Sequence, residues 1–162
     1  MPPSISFAEA LAAAVKVEET GMAFYKAAAL NAVDPSAAEM FGKLAGLEAQ
    51  HKAYFAGLSG RQERESLFLN DPRSEFAAGL AAMAANGVFD MNRNIGEFFT
   101  GRETPRAVIK TAIGMEKDSI VFYLGLEQAM ADRAEAQKLM EIIREEMRHI
   151  SVLSGILTQL GQ

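Results

Sequence analysis

The sequence predicts an all-α protein, a four-helix bundle of two antiparallel helical hairpins joined by a long crossover that contains a short helix. Three observations predict it. Residues 18–51 and 116–149 repeat one another at an offset of 98, each opening on Glu and closing on Glu-x-x-His with the second Glu 30 and the His 33 residues beyond the first. Four stretches carry apolar residues at helical spacing over twenty or more positions. Only a few residues separate the first stretch from the second and the third from the fourth, whereas residues 61–104 separate the pairs.

The first long helix starts at the capping box Ser6 and Glu9 and runs to about Leu30. At about 100° per residue, Phe7, Leu11, Ala14, Val15, Gly21, Met22, Tyr25 and Ala29 share a stripe centred on Glu18. Asp34 caps the second helix, with Pro35 in its first turn where a missing N–H costs nothing. Its stripe is Met40, Leu44, Leu47, Glu48, His51, Tyr54, Phe55 and Leu58, and Gly60 ends it. These two helices form hairpin 1, about residues 7–60.

Residues 61–104 break the repeat. A polar run over 61–70 precedes Asp71 and Pro72, which open a shorter helix ending at Asn86 and Gly87. Residues 88–104 are irregular, with Phe98 and Phe99 among Gly, Asn and charged neighbours. The segment reads as a crossover with a small packing helix, or as a partner surface. A crossover between parallel helices must return the length of a helix of about 25 residues, roughly 38 Å. About 12 extended residues span that, so the surplus also permits hairpin exchange between chains.

Thr104 and Pro105 start the third long helix, to about Met130, with Ile109, Ala112, Ile113, Glu116, Ser119, Ile120 and Tyr123 on its stripe. Asp132 and Glu135 cap the fourth, which runs to about Leu160 with Leu139, Ile142, Glu146, His149, Leu153, Ile156 and Leu160 inward. Together they form hairpin 2, about residues 105–162, and the whole of 1–162 reads as one domain. The repeat extends beyond the Glu and His positions: Phe24 and Tyr25 map to Phe122 and Tyr123, Leu11 to Ile109, Leu44 to Ile142 and Phe55 to Leu153.

Composition excludes several function classes. A net charge of −5 with Lys and Arg scattered gives no footprint for nucleic acid. The start has no basic or apolar leader pattern, and the most apolar stretch, residues 76–89, is too short and interrupted to span a bilayer. The expectation is a soluble cytoplasmic protein with no membrane partner. The absence of Cys removes disulfides, thiolate zinc and iron–sulfur centres.

Glu18, Glu48, Glu116 and Glu146 therefore point into one bundle with His51 and His149, the only two histidines of the chain. An uncompensated buried carboxylate costs several kcal/mol, and four of them together also repel. No Lys or Arg lies on these faces near enough to neutralise them; Lys138 reaches solvent more naturally. Two divalent cations cancel four negative charges. Carboxylate oxygen with one imidazole per metal suits iron or manganese better than zinc or calcium. Two Fe ions, two Mn ions or a mixed Fe/Mn pair all suit these ligands. Glu and His at i and i+3 face one metal together. Glu145 competes with Glu146 for the ligand position, and the offset favours Glu146 because Leu47 stands at the counterpart of Glu145. Glu19 lies about 100° round the helix from Glu18 and reads as solvated, the Met residues as core filler. Glu127 reads as a polar group near the bundle end or a further site carboxylate. Tyr25 and Tyr123, two turns beyond their Glu, read as core aromatics or as donors to carboxylates of the opposite hairpin.

Residues 17–25 (VEETGMAFY), residues 115–123 (MEKDSIVFY) and the two Glu-x-x-His motifs resemble the rubrerythrin-like branch of the ferritin-like diiron-carboxylate proteins, a resemblance covering about three quarters of the chain. It implies a ferritin-like fold in which Glu18 and Glu116 are terminal ligands, Glu48 and Glu146 bridging ligands, and His51 and His149 one imidazole per metal. Two departures stand out: rubrerythrins proper usually carry a rubredoxin module, which a Cys-free chain cannot hold, and Ser119 occupies a position that tends to be a further carboxylate. Without that carboxylate the two halves of the site are expected to be nearly symmetric. The implied function is a dimetal oxidoreductase reducing hydrogen peroxide or O₂ with electrons from an external donor protein. Its candidate catalytic residues are Glu18, Glu48, Glu116, Glu146, Tyr25 and Tyr123. The alternatives are a ferroxidase or iron-handling protein, with Fe²⁺ as substrate, and a two-manganese catalase-like enzyme. A homodimer, with or without hairpin exchange, is expected.

Overall fold

The computed structural model describes residues 6–59, 75–85, 95–130 and 132–160. Ser6 closes the predicted capping box: its hydroxyl accepts from the Glu9 N–H while the Glu9 carboxylate accepts from the Ser6 N–H at 2.8 Å. It opens α1 (Phe7–Asn31). Asp34 accepts from the Ser36 N–H at 3.0 Å ahead of α2 (Pro35–Ser59). The crossover contributes α3 (Glu75–Ala85) and α4 (Ile95–Phe98). Gly101, with φ 81°, turns the chain into Thr104, whose hydroxyl caps α5 (Pro105–Ala129) by accepting from the Ala107 N–H. Asp132 accepts from the Ala134 and Glu135 N–H groups at the start of α6 (Arg133–Gln159). No strand occurs among the described residues, and no helix among them is long and apolar enough to cross a membrane.

Hairpins α1–α2 and α5–α6 pack into one four-helix bundle. Two apolar clusters fill its ends. One joins Leu11, Ala14 and Val17 of α1, Phe55 of α2, Phe122, Tyr123 and Leu126 of α5, and Leu139 and Ile142 of α6. The other joins Phe24, Tyr25 and Ala28, Phe41 and Leu44, Ile109 and Ala112, and Leu153 from the same four helices. In every long helix the Glu or Glu-x-x-His positions lie between the residues given to one cluster and those given to the other.

The predicted stripes need correction. Val17, Phe24 and Ala28 of α1 are buried, whereas Val15, Met22 and Ala29 are half-buried. In α2, Phe41 and Ala45 are buried and Met40, Leu47 and Tyr54 half-buried; in α5, Val108, Phe122 and Leu126 are buried and Ile113 and Ile120 half-buried. The cause is that a helix with several neighbours buries a wider arc than a stripe about one residue. Helix α1 packs against α2, α5, α3 and α4, and Phe24 meets the rings of Phe98 and Phe99 at 5.5 and 5.3 Å. In α6, Ile156 is half-buried and Leu160, beyond the helix end, is exposed. Helix α3 seats Ala77, Leu80 and Ala81 in the first cluster, as expected of a packing helix. Its expected start at Asp71 and Pro72 and its end at Asn86 and Gly87 lie outside the described residues, as does the run over 61–70. Helix α4 falls in the stretch read as irregular; four residues are too few to display a period.

Candidate metal centre

Between the two apolar clusters, Glu18, Glu48, His51, Glu116, Glu146 and His149 are each no more than 4% exposed. Helical geometry places them: Glu48 with His51, and Glu146 with His149, stand one turn apart on one face of α2 and of α6, while α1 and α5 each supply one Glu. His51 Nδ1 lies 2.9 Å from Glu146 Oε1 and 3.7 Å from Glu18 Oε2. His149 Nδ1 lies 2.8 Å from Glu146 Oε2, 3.3 Å from Glu116 Oε1 and 3.5 Å from Glu48 Oε1. The two rings lie nearly parallel with centroids 6.1 Å apart. Ligand atoms form two sets, Glu18, Glu48, His51 and Glu146, and Glu48, Glu116, Glu146 and His149, each with its atoms within 4.8 Å of one another. Glu48 and Glu146 belong to both.

The protonation pattern shows groups competing for too few positive charges. Burial lifts the Glu18 carboxyl well above its ordinary range, with the neighbouring Glu48 adding to the rise and His51 opposing it. Burial likewise pushes Glu116 to about 8; His149 pulls it back, while the charges of Glu146 and Glu48 hold it up. Burial opposes the charged form of both histidines, yet the carboxylates prevail. Glu146 and Glu18 raise His51 to about 11, and Glu116, Glu146 and Glu48 raise His149 to about 12. Glu146, despite burial, falls to about 2 because both histidines bond it. Among the described residues no Lys or Arg pairs with these carboxylates, and Lys138 sits exposed 3.9 Å from Glu135.

The donor set fits a pair of divalent cations. Glu18 Oε2, Glu48 Oε1, both Glu146 oxygens and the Nδ1 atoms of His51 and His149 are buried without a hydrogen-bond partner of acceptable geometry. Buried polar atoms are seldom left so, and here they converge on two points. All are oxygen or imidazole nitrogen, the donors iron and manganese take.

Tyr25 donates to Glu116 Oε1 and Tyr123 to Glu18 Oε1, so each tyrosine reaches the carboxylate of the opposite hairpin. Because each lies two turns beyond the Glu of its own helix, the reciprocal bonds require α1 and α5 to run antiparallel. Burial, reinforced by the nearby carboxylates, holds both phenols well above their ordinary range, so they remain donors. Glu145 stays out of the two sets. It is half-buried, and its Oε2 lies 2.8 Å from His51 Nε2, on the ring's far side. Glu127 bonds Gln128 and joins neither set, and Glu19 pairs with Lys52 and Lys16 at the surface. Ser119 is buried with its hydroxyl donating to the Met115 carbonyl. Sequence reasoning missed two residues: Glu145 as a partner of His51, whose signal was the break in the repeat against Leu47, and Gly21, whose bare Cα leaves room for Glu48.

No curated protein matches the chain. Among solved structures, a Thermotoga maritima protein provisionally named a ferritin-like diiron-carboxylate protein is similar at 20% identity, covering 96% of each chain with a TM-score of 0.69, which shows the ferritin-like fold. A model of the Rubrerythrin family matches residues 9–157. Six buried Glu and His side chains in that fold, matched over nearly the whole chain, make this a dimetal carboxylate protein that belongs to the rubrerythrin family.

Proposed function

We propose that the chain is a diiron oxidoreductase that reduces hydrogen peroxide or O₂, with Glu18 and Glu116 as terminal ligands, Glu48 and Glu146 as bridging ligands, and His51 and His149 as one imidazole for each ion. The observation that carries the reading is the sharing of Glu48 and Glu146 between two otherwise separate ligand sets. Two ferrous ions held there would supply one electron each to an oxygen–oxygen bond.

The protein's own part is positional and protonic. Tyr123 anchors Oε1 of Glu18, which leaves its buried, unpartnered Oε2 free to turn toward an ion, and Tyr25 fixes Glu116 through Oε1, the oxygen 3.3 Å from His149 Nδ1. Both phenols keep their protons and stand at the site as donors of hydrogen bonds rather than as charges. The apolar clusters on either side exclude bulk water and make each charge inside count for more. Electrons come from an external donor protein, since the chain has no Cys to hold an iron–sulfur relay.

Stopped-flow absorbance of the anaerobic ferrous protein mixed with each oxidant tests this. Oxidation faster than that of free ferrous iron in the same buffer, ending in a stable ferric protein that an added reductase returns to the start, is expected. Oxidation no faster than free iron would defeat the oxidoreductase reading. One fast oxidation followed by loss of iron would make iron the substrate of a ferroxidase, and peroxide dismutation by the manganese-loaded protein alone would point to a catalase-like enzyme.

A further inference from the structure

The two histidines have different surroundings on the sides that face away from the ligand sets. Both turn Nδ1 toward the shared carboxylate Glu146, at 2.9 Å for His51 and 2.8 Å for His149. An imidazole that gives its Nδ1 lone pair to a cation carries its proton on Nε2. His51 Nε2 has an acceptor for that proton, Glu145 Oε2 at 2.8 Å. His149 Nε2 is buried and has no partner among the described residues. The repeat explains the difference, because the counterpart of Glu145 is Leu47, an aliphatic side chain. The expectation of two nearly symmetric halves therefore fails at the histidines, although Ser119 supplies no extra carboxylate.

We propose that Glu145 is a positioning residue that makes the two metal positions inequivalent, so that the position bounded by Glu18 and His51 fills first and holds its ion more tightly than the position bounded by Glu116 and His149. The inference rests on the dimetal reading above. Ligation at His149 leaves a buried N–H unsatisfied, a cost that ligation at His51 does not carry. A carboxylate on the far nitrogen also fixes the ring's orientation and strengthens it as a donor, and losing such a partner typically weakens metal binding about 10–100-fold. Glu145 is 38% exposed, and its other oxygen lies 4.0 Å from Arg148 Nη1. Water and that arginine dilute the effect, which places the expected difference near the lower end, about tenfold.

The test uses the full chain stripped of metal and titrated with cobalt(II) against a chelator, together with crystals of protein loaded with one cobalt per chain. Two binding steps separated by about tenfold, with anomalous density at the Glu18–His51 position, are expected. Glu145→Leu, which copies the other half of the repeat, should weaken the first step until the two coincide, and Glu145→Gln, which keeps an acceptor for the Nε2 proton, should restore most of the gap. Density shared equally between the positions in the native protein, or concentrated beside His149, overturns the proposal while leaving the dimetal reading intact. A gap unchanged in Glu145→Leu overturns it too. No cobalt bound in either position defeats the dimetal reading itself, and this inference with it.

Discussion

Glu48 takes part in both ligand sets, and its place depends on a side chain that is absent. Gly21 lies one turn beyond Glu18 on the buried face of α1, and a Cβ built there would stand 3.1 Å from Glu48 Oε2. The carboxylate end is mobile enough to give by a few tenths of an ångström in the metal-free protein. Bound between two ions it is not. Gly21→Ala should therefore act with opposite signs on the two states. Alanine in a helix interior is favoured over glycine by up to about 1 kcal/mol, so the metal-free protein should melt no lower than the native one. Metal affinity should fall on the order of tenfold at both positions, comparable to losing a group that orients a ligand. Thermal melts with and without cobalt, alongside the chelator titration, measure both quantities. Unchanged affinity would show that Glu48 does not need the space.

At the scale of elements, the site ties one hairpin to the other. Tyr123 of α5 holds Glu18 of α1, and Tyr25 of α1 holds Glu116 of α5. Removing either hydroxyl leaves a buried carboxylate oxygen without its donor, which costs about 1–3 kcal/mol. At about 2–4 °C per kcal/mol for a chain of this size, Tyr25→Phe and Tyr123→Phe should each lower the melting temperature of the metal-free protein by several degrees. Each should also weaken metal binding about 10–100-fold, and calorimetric melting with metal titration of both variants checks the pair. Native melting and native loading in both would reduce the tyrosines to core aromatics. Most of this architecture was legible beforehand, because α1, α2, α5 and α6 each run 25 residues or more and show their period plainly. The six Glu and His positions stood out because the chain uses the same spacing twice. What escaped had a physical reason in each case. The burial of Val17 and Phe24 depends on which neighbours α1 meets, and a stripe drawn about Glu18 contains none of that. Spacing alone offers Glu145 only as a rival to Glu146, because it does not say that the side chain next to a ligand reaches the imidazole of another helix.

For the whole molecule, burying this set between two apolar clusters makes stability depend on what occupies it. Glu116, raised to about 8 by burial against the pull of His149, with the Glu146 and Glu48 charges adding to the rise, keeps a proton in the folded chain that it loses near pH 4.5 when unfolded. Its contribution is full below the unfolded value and is lost as pH rises through about 8. The histidines act in the same direction over a higher window, since their carboxylate partners overcome burial and hold the proton up to about 11 at His51 and about 12 at His149, against an unfolded value of 6.5. Glu146 works the other way: depressed to about 2 by the histidines in spite of burial, it stabilises above pH 4.5, and that contribution is lost as pH falls through about 2. These windows meet near pH 4.5, so the metal-free protein should be most stable in mild acid and decline steadily toward alkaline pH. Cations at the same atoms displace the protons and reverse the trend, because fewer protons compete with them as pH rises. At one hundred times its Kd each ion adds about 2.7 kcal/mol. Two ions should then raise the melting temperature by roughly 10–20 °C at about 2–4 °C per kcal/mol. Differential scanning calorimetry of metal-free and cobalt-loaded protein at pH 5 and pH 8 decides the matter. The shift on loading should be larger at pH 8, and an equal shift at both pH values would mean that the ions bind somewhere other than the protonated carboxylate and imidazole atoms between the two clusters.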